Sequence, residues 1–152
     1  MKKYKLGYTT GVYDLFHIGH LNLLRRAKEQ CEYLIVGVST DELVQIYKNK
    51  TPVIPFEERK QIVEAIKYVD EVVAQKNLNK IEAYSNLESV RVNSGEKAIF
   101  VGSDWKGSPS WNKYEQEFKK VGAEVVYLDY TDGISSTMLK QVLNEKIGKK
   151  EN

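Results

Sequence analysis

Gly7-Tyr8-Thr9-Thr10-Gly11-Val12-Tyr13-Asp14-Leu15-Phe16-His17-Ile18-Gly19-His20 is the stretch that decides the fold. It starts as β-favouring chain, breaks at Gly11, and ends on two histidines spaced His-x-x-His, where a helical pattern begins. A strand, a loop and a helix start in succession leave free backbone N–H groups and a positive dipole end at the helix N-terminus. With two imidazoles at the same place, this is anion-binding chemistry. Gly11 permits close approach of backbone to a ligand, and Gly19 keeps the first helical turn free of a Cβ between the imidazoles.

Outward from this junction the pattern repeats. Tyr4–Thr10 reads as the first strand, and Leu21, Leu24 and Ala27, continued by Cys31, recur at helical spacing over 19–30. Tyr33–Val38 is a nearly unbroken apolar run, the signature of a parallel strand buried on both faces. Ser39 and Glu42 have capping-box spacing for a second helix, which decays into the basic loop 47–52. Pro55 opens a third helix with the stripe Ile62, Val63, Ile66 and Val69, followed by a short strand, Glu71–Ala74. Leu78, Ile81 and Leu87 mark a fourth helix, Asn93-Ser94-Gly95 a turn, and Ala98–Val101 a fourth strand. Trp105–Asn112 reads as a loop, Lys113–Val121 as a helix, Glu124–Leu128 as a fifth strand, and Met138, Leu139, Val142 and Leu143 as a last helix.

Five strands alternating with helices predict an α/β, Rossmann-like, doubly wound five-stranded parallel sheet with helices on both faces. The 152 residues fit one domain, expected over 1–146, with 147–152 a frayed basic tail. Ligands in such folds sit beyond the carboxyl ends of the strands, where Gly11–His20, Ser39–Lys50, Gly102–Asp104 and Thr131–Thr137 all fall.

Composition narrows the function. Lys plus Arg total 23 against 21 Asp plus Glu, too even for a nucleic-acid footprint. No apolar run is long enough to span a bilayer and the N-terminal stretch lacks a signal peptide's apolar region, so no membrane is expected and the cytoplasm is the expected compartment. The single cysteine, Cys31, excludes an internal disulfide; it closes an apolar helical stripe with no base near it in sequence, which favours burial over a nucleophile's role. Two histidines and one cysteine are too few for zinc without carboxylates such as Asp14, and no protein-held metal is expected. The GxGxxG, Walker and GxSxG patterns are absent, which weakens dinucleotide, kinase and hydrolase readings. Lys48, Lys50 and Arg59 bring positive charge, and Gly133–Thr137 places hydroxyls at another helix start, as a polyphosphate requires.

GVYDLFHIGH, STDE, PFEERK, IKYVDEV, GSDW and TDGISST, in this order over nearly the whole chain, resemble the HxGH nucleotidyltransferases. Within them the chain is most similar to the bacterial glycerol-3-phosphate cytidylyltransferases. The resemblance implies transfer of CMP from CTP, with Mg²⁺, to a small phosphate monoester, most readily glycerol 3-phosphate, giving a CDP-activated precursor of a surface polymer. It implies catalytic roles for His17, His20, Lys48, Lys50 and Arg59. Nucleotide binding would fall to Thr10, Gly11, Val12, Tyr13, His17, Gly19, His20, Gly102, Asp104, Ser135, Ser136 and Thr137. Acceptor binding would fall to Asp14, Lys48, Lys67, Trp105 and Tyr130. A homodimer is also expected from the resemblance. Tyr130 stands where the family pattern has a cation, and Lys67 where arginine is common, exchanging a bidentate fork for a point charge. Trp105, Trp111 and Tyr114 could form an acceptor lid or an aromatic box for a quaternary ammonium, or simply pack. An adenylyltransferase using ATP on a sugar phosphate or cofactor precursor, and a non-catalytic nucleotide-binding regulatory protein, are the alternatives. The residue chemistry agrees independently with nucleotidyl transfer, because a phosphate acceptor is already ionised near neutral pH and needs positioning and charge neutralisation more than a general base.

Overall fold

The computed structural model describes residues 2–77, 79–91, 96–129 and 139–145. Five strands, β1 (Tyr4–Gly11), β2 (Cys31–Ser39), β3 (Glu71–Gln75), β4 (Lys97–Gly102) and β5 (Ala123–Leu128), form one sheet in the order β3-β2-β1-β4-β5. All four pairings are parallel, as the apolar runs predict. Helices α1 (Ile18–Gln30), α2 (Asp41–Lys48) and α3 (Phe56–Glu64) precede β3; α4 (Lys80–Arg91) and α5 (Pro109–Lys120) flank β4. Residues 139–145 are also helical.

Alternation along the strands feeds two cores. Leu34, Val36 and Val38 of β2 and Ala98 and Phe100 of β4 join Leu24 and Ala27 of α1 and Val63 of α3. Ile35 and Ile99 point the other way, onto Tyr84 of α4 and Trp111 and Phe118 of α5. The central stretches of β2 and β4 are buried on both faces, which is why they read as continuous apolar runs rather than alternating ones.

The strand order puts the topological switch between β1 and β4, since the chain winds outward through β2 and β3 and then returns to the far side of β1. There the two strands part. β1 pairs with β2 through Gly11↔Val38, whereas its pairing with β4 ends at Tyr8↔Ile99. Beyond that point the Thr9 hydroxyl donates to the Phe100 carbonyl at 2.9 Å, and the ends of both strands stand open.

Several local expectations change. Thr40, not Ser39, caps α2, its Oγ1 accepting the Leu43 N–H at 3.2 Å, while Ser39 ends β2. Cys31 is buried as expected, but as the first residue of β2, in register with Tyr4. The stripe of the third helix runs past its end: α3 stops at Glu64, so Ile66 and Val69 pack from the turn that follows. The predicted loop 105–112 is mostly helix. Ser108 caps α5 by accepting the Trp111 N–H, and Pro109 at the first position, where its missing N–H costs nothing, starts the helix four residues early. Val142 and Leu143, expected in an apolar stripe, are 41% and 49% exposed. The Asn93–Gly95 turn, Leu78, Met138 and residues 146–152 lie outside the described residues.

Candidate active site

A cleft of about 850 Å³ opens where β1 and β4 part, within the range of small-molecule sites. Its wall at β1 is the loop to α1, and this loop is strained. Tyr13 and Leu15 have φ of 57° and 51°, in the left-handed region that non-glycine residues rarely occupy. Between them Asp14 turns inward, where it is 3% exposed.

His17 is the N-cap of α1, and the two histidines cap the helix reciprocally. Nδ1 of His17 accepts the Gly19 N–H at 3.0 Å, and Nδ1 of His20 accepts the His17 N–H at 3.2 Å. A nitrogen that accepts carries no proton, so each neutral ring bears its proton on Nε2. The rings stack at 4.0 Å, with Tyr13 and Phe16 at 5.4 and 5.3 Å from His20. Burial, and then the neighbouring His17, push the pKa of His20 down to about 4; burial alone lowers that of His17. Near neutral pH the pair therefore presents Nε2–H donors without charge, and Nε2 of His17, shielded from solvent, has no partner among the described residues. The sequence pointed to free backbone N–H groups here. Two of those N–H groups are consumed by the cap, and the imidazoles present donors in their place.

Charge comes from lysine. Lys48, at the end of α2, and Lys50 line the cleft with the histidines, and Lys80 and Lys140 join them. Lys48 has a lowered pKa from burial and from the ammoniums of Lys140 and Lys50. Lys80, first residue of α4, donates to Thr10 Oγ1 at 3.1 Å and lies 5.9 Å from the centre of the Trp111 ring; burial lowers its pKa. The Trp111 face therefore holds a cation of the chain itself. Trp111 is 5% exposed, in the core with Tyr84 and Phe118, which is the packing role weighed against an aromatic box.

Arg59 lies below the cleft rather than in it. It is fully buried, donating through Nε to the Ile54 carbonyl, through Nη1 to those of Val12 and Ser39, and through Nη2 to Asp41, at 2.6–2.8 Å. One guanidinium thus ties the ends of β1 and β2 to the start of α2, as its rigid fork of donors allows.

Among the sequence candidates, Thr10, Gly11, Val12, Tyr13, Asp14, His17, Gly19, His20, Lys48, Lys50, Gly102 and Trp105 line the cleft together. Arg59, Lys67 and Asp104 do not. Lys67 sits in the turn before β3 with Nζ 5.2 Å from the centre of the Tyr68 ring, and Asp104 is exposed in the 3₁₀ turn after β4. Tyr130, Ser135, Ser136 and Thr137 lie outside the described residues. Sequence reading passed over Lys80 and Lys140. The first had a signal, since it follows the carboxyl end of β3 as the other candidates follow theirs; the second had none.

Among the described residues, no helix is long and apolar enough to cross a membrane and no group of three or more His, Cys, Asp or Glu could hold a metal. The sequence profile of the cytidylyltransferase-like family matches residues 8–142. A glycerol-3-phosphate cytidylyltransferase of Staphylococcus aureus is 44% identical over 93% of this chain and 96% of the relative. One of Bacillus spizizenii is 41% identical over 88% and 92%. Among solved structures, a lipopolysaccharide core biosynthesis protein of Thermoplasma volcanium superposes with a TM-score of 0.67 at 20% identity, covering 86% of this chain and 99% of its own, a likeness of fold.

Proposed function

The chain belongs to the cytidylyltransferase-like family, and from that premise we propose that it transfers CMP from CTP to glycerol 3-phosphate, releasing pyrophosphate. An oxygen of the acceptor phosphate attacks the α-phosphorus of CTP, the bond from that phosphorus to the bridging β-phosphate oxygen breaks, and the electron pair leaves with pyrophosphate. The acceptor is a dianion near neutral pH, so no base has to remove a proton; the work is positioning and charge stabilisation.

The histidine cap carries this reading. Its paired Nε2–H donors stand on the wall of a lysine-lined cleft at the sheet's switch point, as stabilisation of a phosphoryl transition state demands. In this mechanism His17 and His20 hydrogen-bond the phosphates about the reacting phosphorus. Lys48 and Lys50 neutralise the triphosphate, and Arg59 acts from below by fixing the loops that carry the site. Ser135, Ser136 and Thr137 are assigned to the phosphates by the resemblance alone.

Mg²⁺ fits this site as a companion of the triphosphate rather than as a resident of the chain. Its usual partners are one or two carboxylates, substrate phosphates and water, and the two oxygens of Asp14, the carboxylate on the described lining, already receive two backbone N–H groups and an ammonium. When bound, the ion supplies charge neutralisation along the phosphates.

The test is pyrophosphate release with each nucleoside triphosphate, Mg²⁺ and a panel of acceptors. We expect release with CTP and glycerol 3-phosphate, and none with phosphocholine, because Lys80 already occupies the Trp111 face. Release with ATP alone refutes the assignment.

A further inference from the structure

Lys140 has no role in the mechanism so far, yet its Nζ stands 2.8 Å from Asp14 Oδ2. The same carboxylate accepts the Val53 N–H at 2.8 Å and the Ile54 N–H at 2.9 Å. A single buried side chain therefore joins three separate pieces of chain: the loop after β1, the connection from α2 to α3, and the helical segment 139–145. That connection carries Lys50 and follows directly on Lys48. Burial opposes the ionised carboxylate, but the bond from Lys140 and the two backbone N–H groups outweigh it and hold the Asp14 pKa below its usual range.

The surrounding charges give the ion pair its purpose. Lys48, Lys50 and Lys140 share one end of the cleft, and their mutual repulsion is felt at Lys48. Asp14 is the counter-ion among them; its field reaches Lys48 from α2 and His20 from α1. With Lys140 paired to it, Asp14 is neutralised and Lys48 is left for the substrate. Without Lys140, the buried carboxylate would lose the ammonium 2.8 Å from it, a costly change that a neighbouring ammonium, Lys48 above all, relieves by moving toward it.

We propose that Lys140 is a positioning residue for CMP transfer: by occupying Asp14 it keeps Lys48 available to the triphosphate and docks segment 139–145 against the Lys48–Lys50 connection. This rests on the cytidylyltransferase reading of the cleft. Its signature is weaker CTP binding with chemistry largely intact, which loss of a merely structural contact would not produce.

The experiment compares wild type with Lys140→Met, Lys140→Gln, Lys140→Arg, Asp14→Asn and the Asp14→Asn/Lys140→Met double variant. Steady-state pyrophosphate release is read together with a CTP titration by tryptophan fluorescence, after melting curves without nucleotide establish that each variant folds. Lys140→Met and Lys140→Gln should raise KM for CTP about tenfold with kcat within about threefold, and Lys140→Arg should restore most of the loss. The double variant should lose less than the two single losses combined, because Lys48 is no longer drawn away. Should Lys140→Met fail to fold, Lys140→Gln against Lys140→Arg carries the comparison. An unchanged KM for CTP, a fall in kcat with KM held, or no rescue by arginine overturns the proposal. A wild type that binds CTP but transfers no CMP refutes the functional reading alone; the positioning then stands or falls on whether CTP binding weakens about tenfold in Lys140→Met.

Discussion

Acidification from pH 8 to pH 4 sets the unfolded chain against the histidine cap. Burial holds the folded pKa of His20 at about 4, against 6.5 for an unperturbed histidine. Between those values the unfolded chain binds a proton that the folded chain refuses, so stability rises with pH across the window. The contribution is complete above about pH 6.5 and is lost as pH falls toward 4. At about 1.4 kcal/mol for each pH unit, the gap corresponds to about 3 kcal/mol, a sizeable part of a domain's about 5–15 kcal/mol. The lowered pKa of His17 acts in the same direction. Only two histidines exist in the chain, so imidazole ¹⁵N spectra are simple to assign. We expect both rings to show the Nε2–H tautomer at pH 7 and His20 to remain neutral at pH 5. Urea unfolding should show wild type losing about 3 kcal/mol more than His20→Gln between pH 7 and pH 4, the other titrating groups being common to both. Titration of His20 near its ordinary pKa, or an Nδ1–H tautomer at either ring, would refute the reciprocal cap.

Arg59→Met should bring down the urea midpoint severely. It strands the carbonyls of Val12, Ser39 and Ile54 and removes the cation paired with Asp41, which keeps the Phe56 N–H, and at about 1–3 kcal/mol for each group the loss exceeds about 4 kcal/mol; an unchanged midpoint would show that the guanidinium does not tie these loops. Gly37→Ala should lower the melting temperature, because the added Cβ would stand 2.8 Å from Tyr8 Oη and 3.0 Å from Gln75 Oε1, the two ends of a buried hydrogen bond. The cost should be about 1–3 kcal/mol, and a neutral substitution would mean that this layer can relax.

The sheet was legible because burial on both faces writes itself into sequence: Tyr33–Val38 and Ala98–Val101 are apolar at nearly every position, and the structure returns both as parallel strands. Helix starts were less legible where two hydroxyls compete. Ser39 and Thr40 both suit a cap, and pairing of Ser39 with Gln75 at the end of β2 leaves Thr40 to do it. The chemistry of Trp105–Asn112 looked like a loop because glycine, serine and proline also start helices; Ser108-Pro109 is an N-cap and first-turn pair. In the cleft, candidates that follow the carboxyl ends of β1, β2 and β4 lie together, whereas Lys80, after β3, and Lys140 carried no reading from the sequence. Arg59 shows the limit: a charge near other charges reads as a ligand contact, and nothing local reveals that four backbone and side-chain oxygens close over its guanidinium.

The two sources of attraction in the cleft differ in kind, and the cap explains why. Lys48, Lys50, Lys80 and Lys140 already place like charges around one cavity, and burial with mutual repulsion lowers the pKa of Lys48. Two imidazolium ions would add to that repulsion. A protonated imidazole also has no lone pair to accept with, so the bonds from the Gly19 and His17 N–H groups can exist only while the rings are neutral. Neutrality and the reciprocal cap at the start of α1 are therefore one condition rather than two, and the cap fixes where the Nε2–H donors stand. In the proposed reaction lysine supplies charge, which attracts a polyanion at a distance, and histidine supplies direction, which is felt at hydrogen-bond length. Acid that protonates His20 breaks its bond from the His17 N–H and frees its ring from the cap while leaving the lysine charge in place, so below the range of about pH 6 in which an acceptor phosphate itself takes up a proton, this step should lower turnover with polyanion binding retained.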